Sequence, residues 1–176
     1  MTSANHADDP LLTDDDAVRA GLRFCDAVLR HDRAIERAVD DSVWLDAPGG
    51  PLPVRRARGC VPEPVRLPVA ATAPGIALGG DLKSALAVVR GDEAVLSQHL
   101  GDLDHSLARE RFERTLEDLL RLFDVTPRWV AFDAHPDYVS HALARRLSAD
   151  RGLVPVPVFH LHAHLASLLA EHGRTG

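Results

Sequence analysis

The chain has 176 residues, of which 45% are hydrophobic and 26% charged, a composition that excludes disordered and fibrous classes and points to a folded domain. A formal net charge of −6 removes the basis for non-specific nucleic-acid binding, although Arg55, Arg56 and Arg58 form a local basic stretch able to meet an anion. Cys25 and Cys60, without a Cys-x-x-Cys pattern, argue against a disulfide framework and for a reducing cytoplasm.

No apolar run approaches the roughly 20 residues that span a bilayer. The opening "MTSANHADDP" is too polar and acidic for a signal peptide. The expectation is a cytoplasmic protein with no membrane partner.

The first predicted element is a helix over 13–32, "TDDDAVRAGLRFCDAVLRHD". Thr13 is placed as its cap, Asp14 to Asp16 face the positive end of the helix dipole, and Val18, Leu22, Cys25 and Leu29 form its apolar stripe. Two short strands follow, "SVWLDA" and "LPVRRA", around the turn Pro48-Gly49-Gly50-Pro51. This half has few elements for an independent core.

A proline-rich seam, "GCVPEPVRLPVAATAPG" (59–75), comes next. Proline removes a backbone donor and holds its predecessor extended, so the seam is a linker or an edge-hugging segment.

Beyond it, "GIALGGDLKSALAVVRGDEAVLSQHLGD" reads as three strands broken at Gly79-Gly80 and Gly91-Asp92. "SLARERFERTLEDLLRLFD" is an amphipathic helix with Leu107, Phe112, Leu116, Leu119, Leu120 and Phe123 inward. "RWVAFDA" is a buried strand. Pro136 is placed at the first position of a second helix, whose Tyr138, Val139, Ala142, Leu143 and Leu147 face inward. "LVPVPVF" is a strand near a sheet edge because of its prolines, and "HAHLASLLAEHG" is a last helix closed by Gly173.

The fold class is therefore α/β. The order β-β-β-α-β-α-β-α is that of a ribonuclease-H-like lobe, the building block of actin and sugar-kinase ATPases.

Three stretches could carry chemistry. His160 and His164, four apart, share one helix face if the helix begins at or just before His160, and two imidazoles so placed can bind a divalent metal. His162 points the other way, and surface histidines without metal are the alternative. In "LGGDLKSA" (78–85) the glycines would let backbone approach an anion that Lys83 neutralises, while a structural hairpin uses the same residues. In "FDAHPDY" (132–138), Asp133 and His135 stand at the carboxyl end of a strand before a helix, a usual ligand position, or form a simple capped turn.

Taken in order, "MTSAN", "HDRAIERAVDDSV", "VRRARGCVPEPV", "LGGDLKSALAVVRGDEAVLSQHLGDLD", "FDAHPDY" and "HLHAHLASLLAEHG" closely resemble the carbamoyltransferase family of nickel–iron hydrogenase maturation (HypF), over nearly the whole chain. The resemblance implies the end of a YrdC-like domain over 1–68, a proline-rich linker over 69–74, and the first lobe of an actin-like, sialoglycoprotease-like domain over 75–176. It also implies a transferase that uses ATP with magnesium and carbamoyl phosphate. The carbamoyl group passes to a cysteine of a HypE-type partner, on the way to the cyanide ligands of the hydrogenase iron.

The resemblance carries Ser3, Asn5, Ser42 and Arg56 over as nucleotide contacts, with Arg55 and Arg58 as neighbours of the last. Gly79, Gly80 and Lys83 match a phosphate-facing hairpin, and His160 and His164 match a pair binding iron or zinc. No catalytic residue is assigned. His6-Ala7-Asp8 departs from the family's Leu-Ser-Gly, and the family's remaining metal ligand belongs to a second lobe. The alternative expectation is a non-catalytic nucleotide- or metal-binding remnant, or a fragment of a split enzyme.

Overall fold

The computed structural model describes Asn5 and residues 11–175. Its first helix, α1, covers only Asp15–Gly21. The cap is Asp14, not Thr13: its carboxylate accepts from the backbone N–H groups of Asp16 (3.0 Å) and Ala17 (2.8 Å). The helix stops early because its predicted stripe meets no core beyond Leu22. Val18 and Leu22 are buried, whereas Leu29 is 98% exposed, and burial of an apolar face is what sustains a helix in water.

Strands β1 (Val43–Ala47) and β2 (Gly50–Arg55) form an antiparallel hairpin of their own. Among the described residues all other strands belong to one six-stranded sheet. In chain order they are β3 (Val65–Arg66), β4 (Gly75–Ala77), β5 (Ala87–Arg90), β6 (Glu93–Leu96), β7 (Trp129–Asp133) and β8 (Val154–Val158), and they lie side by side as β3-β6-β5-β4-β7-β8. The proline-rich seam thus takes its edge-hugging form, since it contributes β3 at one edge. The proline-bearing β8 occupies the other.

The β4–β7 and β7–β8 pairs are parallel, and the other neighbours are antiparallel. Three helices join this sheet: α2 (Ser106–Leu122), α3 (Val139–Arg151) and α4 (His160–Glu171). From β4 onward the order is the predicted one.

The core lies between the sheet and two helices. Ile76, Val88 and Val130 from the strands meet Phe112 and Leu116 of α2 and Leu143 and Leu147 of α3, all buried. Leu107, expected inward, is 40% exposed, and Ala142 is exposed where Ala144 is buried. Helix α3 begins three residues after Pro136, with Tyr138 as its extended N-cap residue. Tyr138 brings no capping side chain, so Asp81 from the β4 exit supplies one, its carboxylate accepting from Val139 N (2.6 Å) and Ser140 N (3.0 Å).

Trp129 covers Gly75 on the neighbouring strand. A Cβ at position 75 would stand 2.0 Å from the Trp129 ring, so the close β4–β7 contact requires glycine there.

Removing the centre of this core should be costly. We expect Phe112→Ala, at a side chain 1% exposed, to destabilise the chain by about 3–5 kcal/mol. Leu29→Ala should change stability by less than about 0.5 kcal/mol. Urea unfolding followed by circular dichroism compares the two; equal midpoints would contradict the assigned core.

Candidate functional site

The carboxyl ends of β4, β7 and β8 lie together because these strands run parallel. Each delivers part of one cleft. Beyond β4 come Gly79 and Gly80, β7 ends at Asp133, and β8 leads through Phe159 into α4, which begins at His160. The cleft measures about 350 Å³ and is lined by both glycines together with Asp133, His160 and His164.

Gly79 has φ +64°, and a Cβ there would meet the Ala85 carbonyl at 3.0 Å, so the turn needs glycine. At Gly80 a Cβ would stand 3.6 Å from Asp133 Oδ2 and 3.9 Å from His160 Cε1. A longer side chain at that position would project into the cleft.

Because α4 starts at His160, residues 160 and 164 share a face, as the spacing requires. Their Nε2 atoms are 3.1 Å apart. His160 Nδ1 lies 2.8 Å from Asp133 Oδ2, and the other oxygen of that buried carboxylate accepts from His135 N at 2.9 Å. Asp133 therefore closes the turn after β7 and also grips His160. His135 stacks on Tyr138, with ring centroids 4.5 Å apart. His162 turns away from the pair and sets its ring edge-on to Phe159.

The donor set fits part of a metal site. Two nitrogens 3.1 Å apart can share one ion at metal–nitrogen distances of roughly 2.0–2.1 Å. The Asp133 carboxylate is already engaged. Among the described residues no group of three or more histidine, cysteine, aspartate or glutamate side chains could hold a metal. Among the described residues, His160 and His164 are the pair whose nitrogens stand close enough to meet one ion.

The remaining sequence-derived candidates lie elsewhere. Lys83, in the left-handed region at φ 49°, donates its backbone N–H to Asp102 (2.6 Å) and does not line the glycine–histidine cleft. Ser42 Oγ accepts from Ala57 N and donates to the Arg58 carbonyl, both at 2.9 Å. Arg56 Nη2 donates to the carbonyls of Cys60 (3.4 Å) and Glu63 (3.0 Å). Ser42 and Arg56 are thus part of one local clasp. Asn5 is half-buried, and Ser3 lies outside the described residues.

Two features escape a reading by spacing. One is Asp81, whose only sequence signal is that α3 has no acidic residue in its own first turn. The other is a groove of about 640 Å³ between residues 11–40 and α2, lined among others by Asp40, Arg55, Gln98, His99 and Arg111.

Burial holds the His99 imidazole below its ordinary pKa of 6.5, and Arg55 adds to this, while Asp40 and Asp102 pull the other way. The folded state then binds fewer protons than the unfolded chain just below pH 6.5. The stability that neutral His99 supports is complete above about pH 6.5 and falls as acid protonates it. We expect His99→Gln to flatten this part of the stability–pH curve, read by urea midpoints between about pH 5 and 7.5. An unchanged slope would show that His99 is not its source.

The family model for the HypF Kae1-like domain matches residues 70–171. Carbamoyltransferase HypF2 of Cupriavidus necator is 42% identical over 98% of this chain and 22% of its own length. Carbamoyltransferase HypF of Rhizobium leguminosarum bv. viciae is 45% identical over 99% of this chain and 22% of its own length. The crystal structure of full-length HypF in its phosphate- and nucleotide-bound form superposes with a TM-score of 0.90 at 35% identity, covering 99% of this chain and 27% of that one. T. kodakarensis HypF gives 0.88 at 28% identity, covering 99% of this chain and 23% of its own. The chain therefore spans about a quarter, or less, of the relatives it matches.

Proposed function

The chain belongs to the HypF carbamoyltransferase family, and from that premise we propose that it is one section of an enzyme of hydrogenase maturation. The proposed enzyme uses ATP with magnesium and carbamoyl phosphate to carbamoylate a cysteine of a HypE-type partner in the cytoplasm. The observation that carries this reading is the cleft in which the Gly79-Gly80 backbone faces the paired nitrogens of His160 and His164. Exposed backbone at a glycine turn suits phosphate oxygens, and a histidine pair suits a divalent cation that would meet them. The phosphate- and nucleotide-bound state of a full-length relative supports such a ligand.

His160 and His164 would hold the divalent ion, iron or zinc; when bound, it supplies Lewis-acid positive charge beside the glycines. Lys83 brings a further cation to the same loop. In the first segment, Ser3, Asn5, Ser42 and Arg56 are the proposed nucleotide contacts. Arg56 makes both of its carbonyl contacts through one terminal nitrogen, which leaves guanidinium donors for an anion.

A second reading is favoured by one observation: no residue of α4 is buried, and Phe159, Leu161, Leu165 and Leu168 are exposed. On that reading the chain is a binding fragment that works only with another polypeptide. ATP–pyrophosphate exchange dependent on carbamoyl phosphate separates the cases. We expect the chain alone to be silent, and exchange to appear when a polypeptide carrying the remaining family segments is added. Silence in both mixtures rejects the enzymatic role.

The metal assignment has its own measurement. Purified chain loaded with zinc and desalted should retain it, and His160→Ala or His164→Ala should each lower retention, because a single remaining imidazole is far short of the four-coordinate zinc shell. Equal metal content in all three proteins overturns the assignment.

A further inference from the structure

We propose that Asp133 is a positioning residue that makes the two histidines inequivalent: His160 is set for a metal ion in advance, whereas His164 must first move a proton. This rests on the reading of the pair as a metal site, but its proton pattern is a property of the metal-free chain.

The Asp133 side chain is 7% exposed, and its Oδ2 lies 2.8 Å from His160 Nδ1. An ionised carboxylate only accepts hydrogen bonds, so the shared proton belongs to Nδ1. In the neutral imidazole the lone pair is then on Nε2, the atom that faces the cleft. Asp133 cannot easily turn away, because its Oδ1 accepts from His135 N at 2.9 Å. A buried acceptor fixed at both oxygens sets the tautomer of its partner.

His164 follows from this. Its Nε2 lies 3.1 Å from His160 Nε2, and two bare nitrogens would repel at that distance. Since His160 Nε2 holds a lone pair, His164 Nε2 carries the hydrogen and donates it. His164 Nδ1 is then the bare atom.

For His164 to ligate through Nε2, that proton has to leave. It is lost from Nε2 to water while Nδ1 takes one from water, so the ring stays neutral and no net proton is gained or released. The His160–His164 hydrogen bond breaks as the ion takes its place. The first ligand is thus ready and the second is gated by a proton shift.

Asp133 has no other visible calling as a ligand. Both of its oxygens are occupied, and the nearby carboxylate of Asp81 is committed to the α3 N-terminus.

The test is two-bond 1H–15N correlation of the histidine rings at pH 8 in the full chain, without and with zinc. The expected metal-free spectrum has His160 protonated at Nδ1 and His164 at Nε2. Adding zinc should convert His164 to the Nδ1-protonated form and leave the His160 tautomer unchanged. Asp133→Asn should abolish the His160 preference and weaken zinc binding about tenfold to a hundredfold, with an unaltered far-ultraviolet circular dichroism spectrum.

His160 protonated at Nε2, or an even tautomer mixture in the unsubstituted chain, overturns the proposal, and that reading stands even if Asp133→Asn fails to fold. Asp133→Asn with zinc affinity within about twofold of the parent also overturns it, since outer partners of true ligands cost more. If the unsubstituted chain shows the expected tautomers but binds no zinc, the positioning role holds and the metal reading fails.

Discussion

Parallel pairing of β4 with β7 and of β7 with β8 is the constraint from which the site follows. In a parallel sheet the carboxyl ends of neighbouring strands lie on one side. Here that side receives the glycine turn, Asp133 and the start of α4. Pairing in register fixes their separations: Ile76 lies opposite Val130, and Asp133 opposite Val158. The buried side chains beneath hold that register, because a one-residue slip would turn Ile76, Val130 and Phe132 out of the core. Asp81 locks the layers together from above, joining the exit of β4 to the N-terminus of α3.

The first segment is attached by different physics. Among the described residues it reaches α2 through Arg37–Asp118, Arg114–Glu36 and the Arg111 guanidinium on the Leu11 carbonyl, and it contributes no residue to the main apolar core. Exposed ion pairs contribute about 0–1 kcal/mol each and are screened by salt. Asp118 differs, because its side chain is 10% exposed and also pairs with Arg121. It anchors that contact. The seam then returns as β3 and pairs with β6, so backbone hydrogen bonds join the first segment to the sheet.

The legible parts of the sequence were those governed by local periodicity. Alternating apolar runs and the α2 stripe gave the strand and helix order, and the spacing of His160 and His164 placed both on one face once the helix start was right. Tertiary context decided the rest. The stripe through Cys25 and Leu29 has helical spacing but no partner to bury it, so α1 ends at Gly21. Pro136 carries a good helix-start signal, yet the chain needs a turn through Asp133 and His135 first. Asp81 is an ordinary acidic residue in sequence, and Asp133, though it stands at a usual ligand position, carries no local sign of what it would hold. Their partners lie 58 and 27 residues away, beyond any local rule.

The histidine pair is therefore supported unequally from its two sides. On the sheet side lie a buried carboxylate, a strand end and the backbone bond from Ala134 N to the Val158 carbonyl at 2.9 Å. On the helix side α4 buries nothing, and Leu161, Leu165 and Leu168 face outward. A helix without a buried face gains little from packing and its isolated form is marginal at this length. What orients His160 is then the single charge-assisted bond to Asp133, stronger than a neutral one. His164, one turn further along α4, inherits its position from His160. Any cover laid over α4 would therefore stiffen His164 more than His160, because the nearer histidine is already held by the sheet.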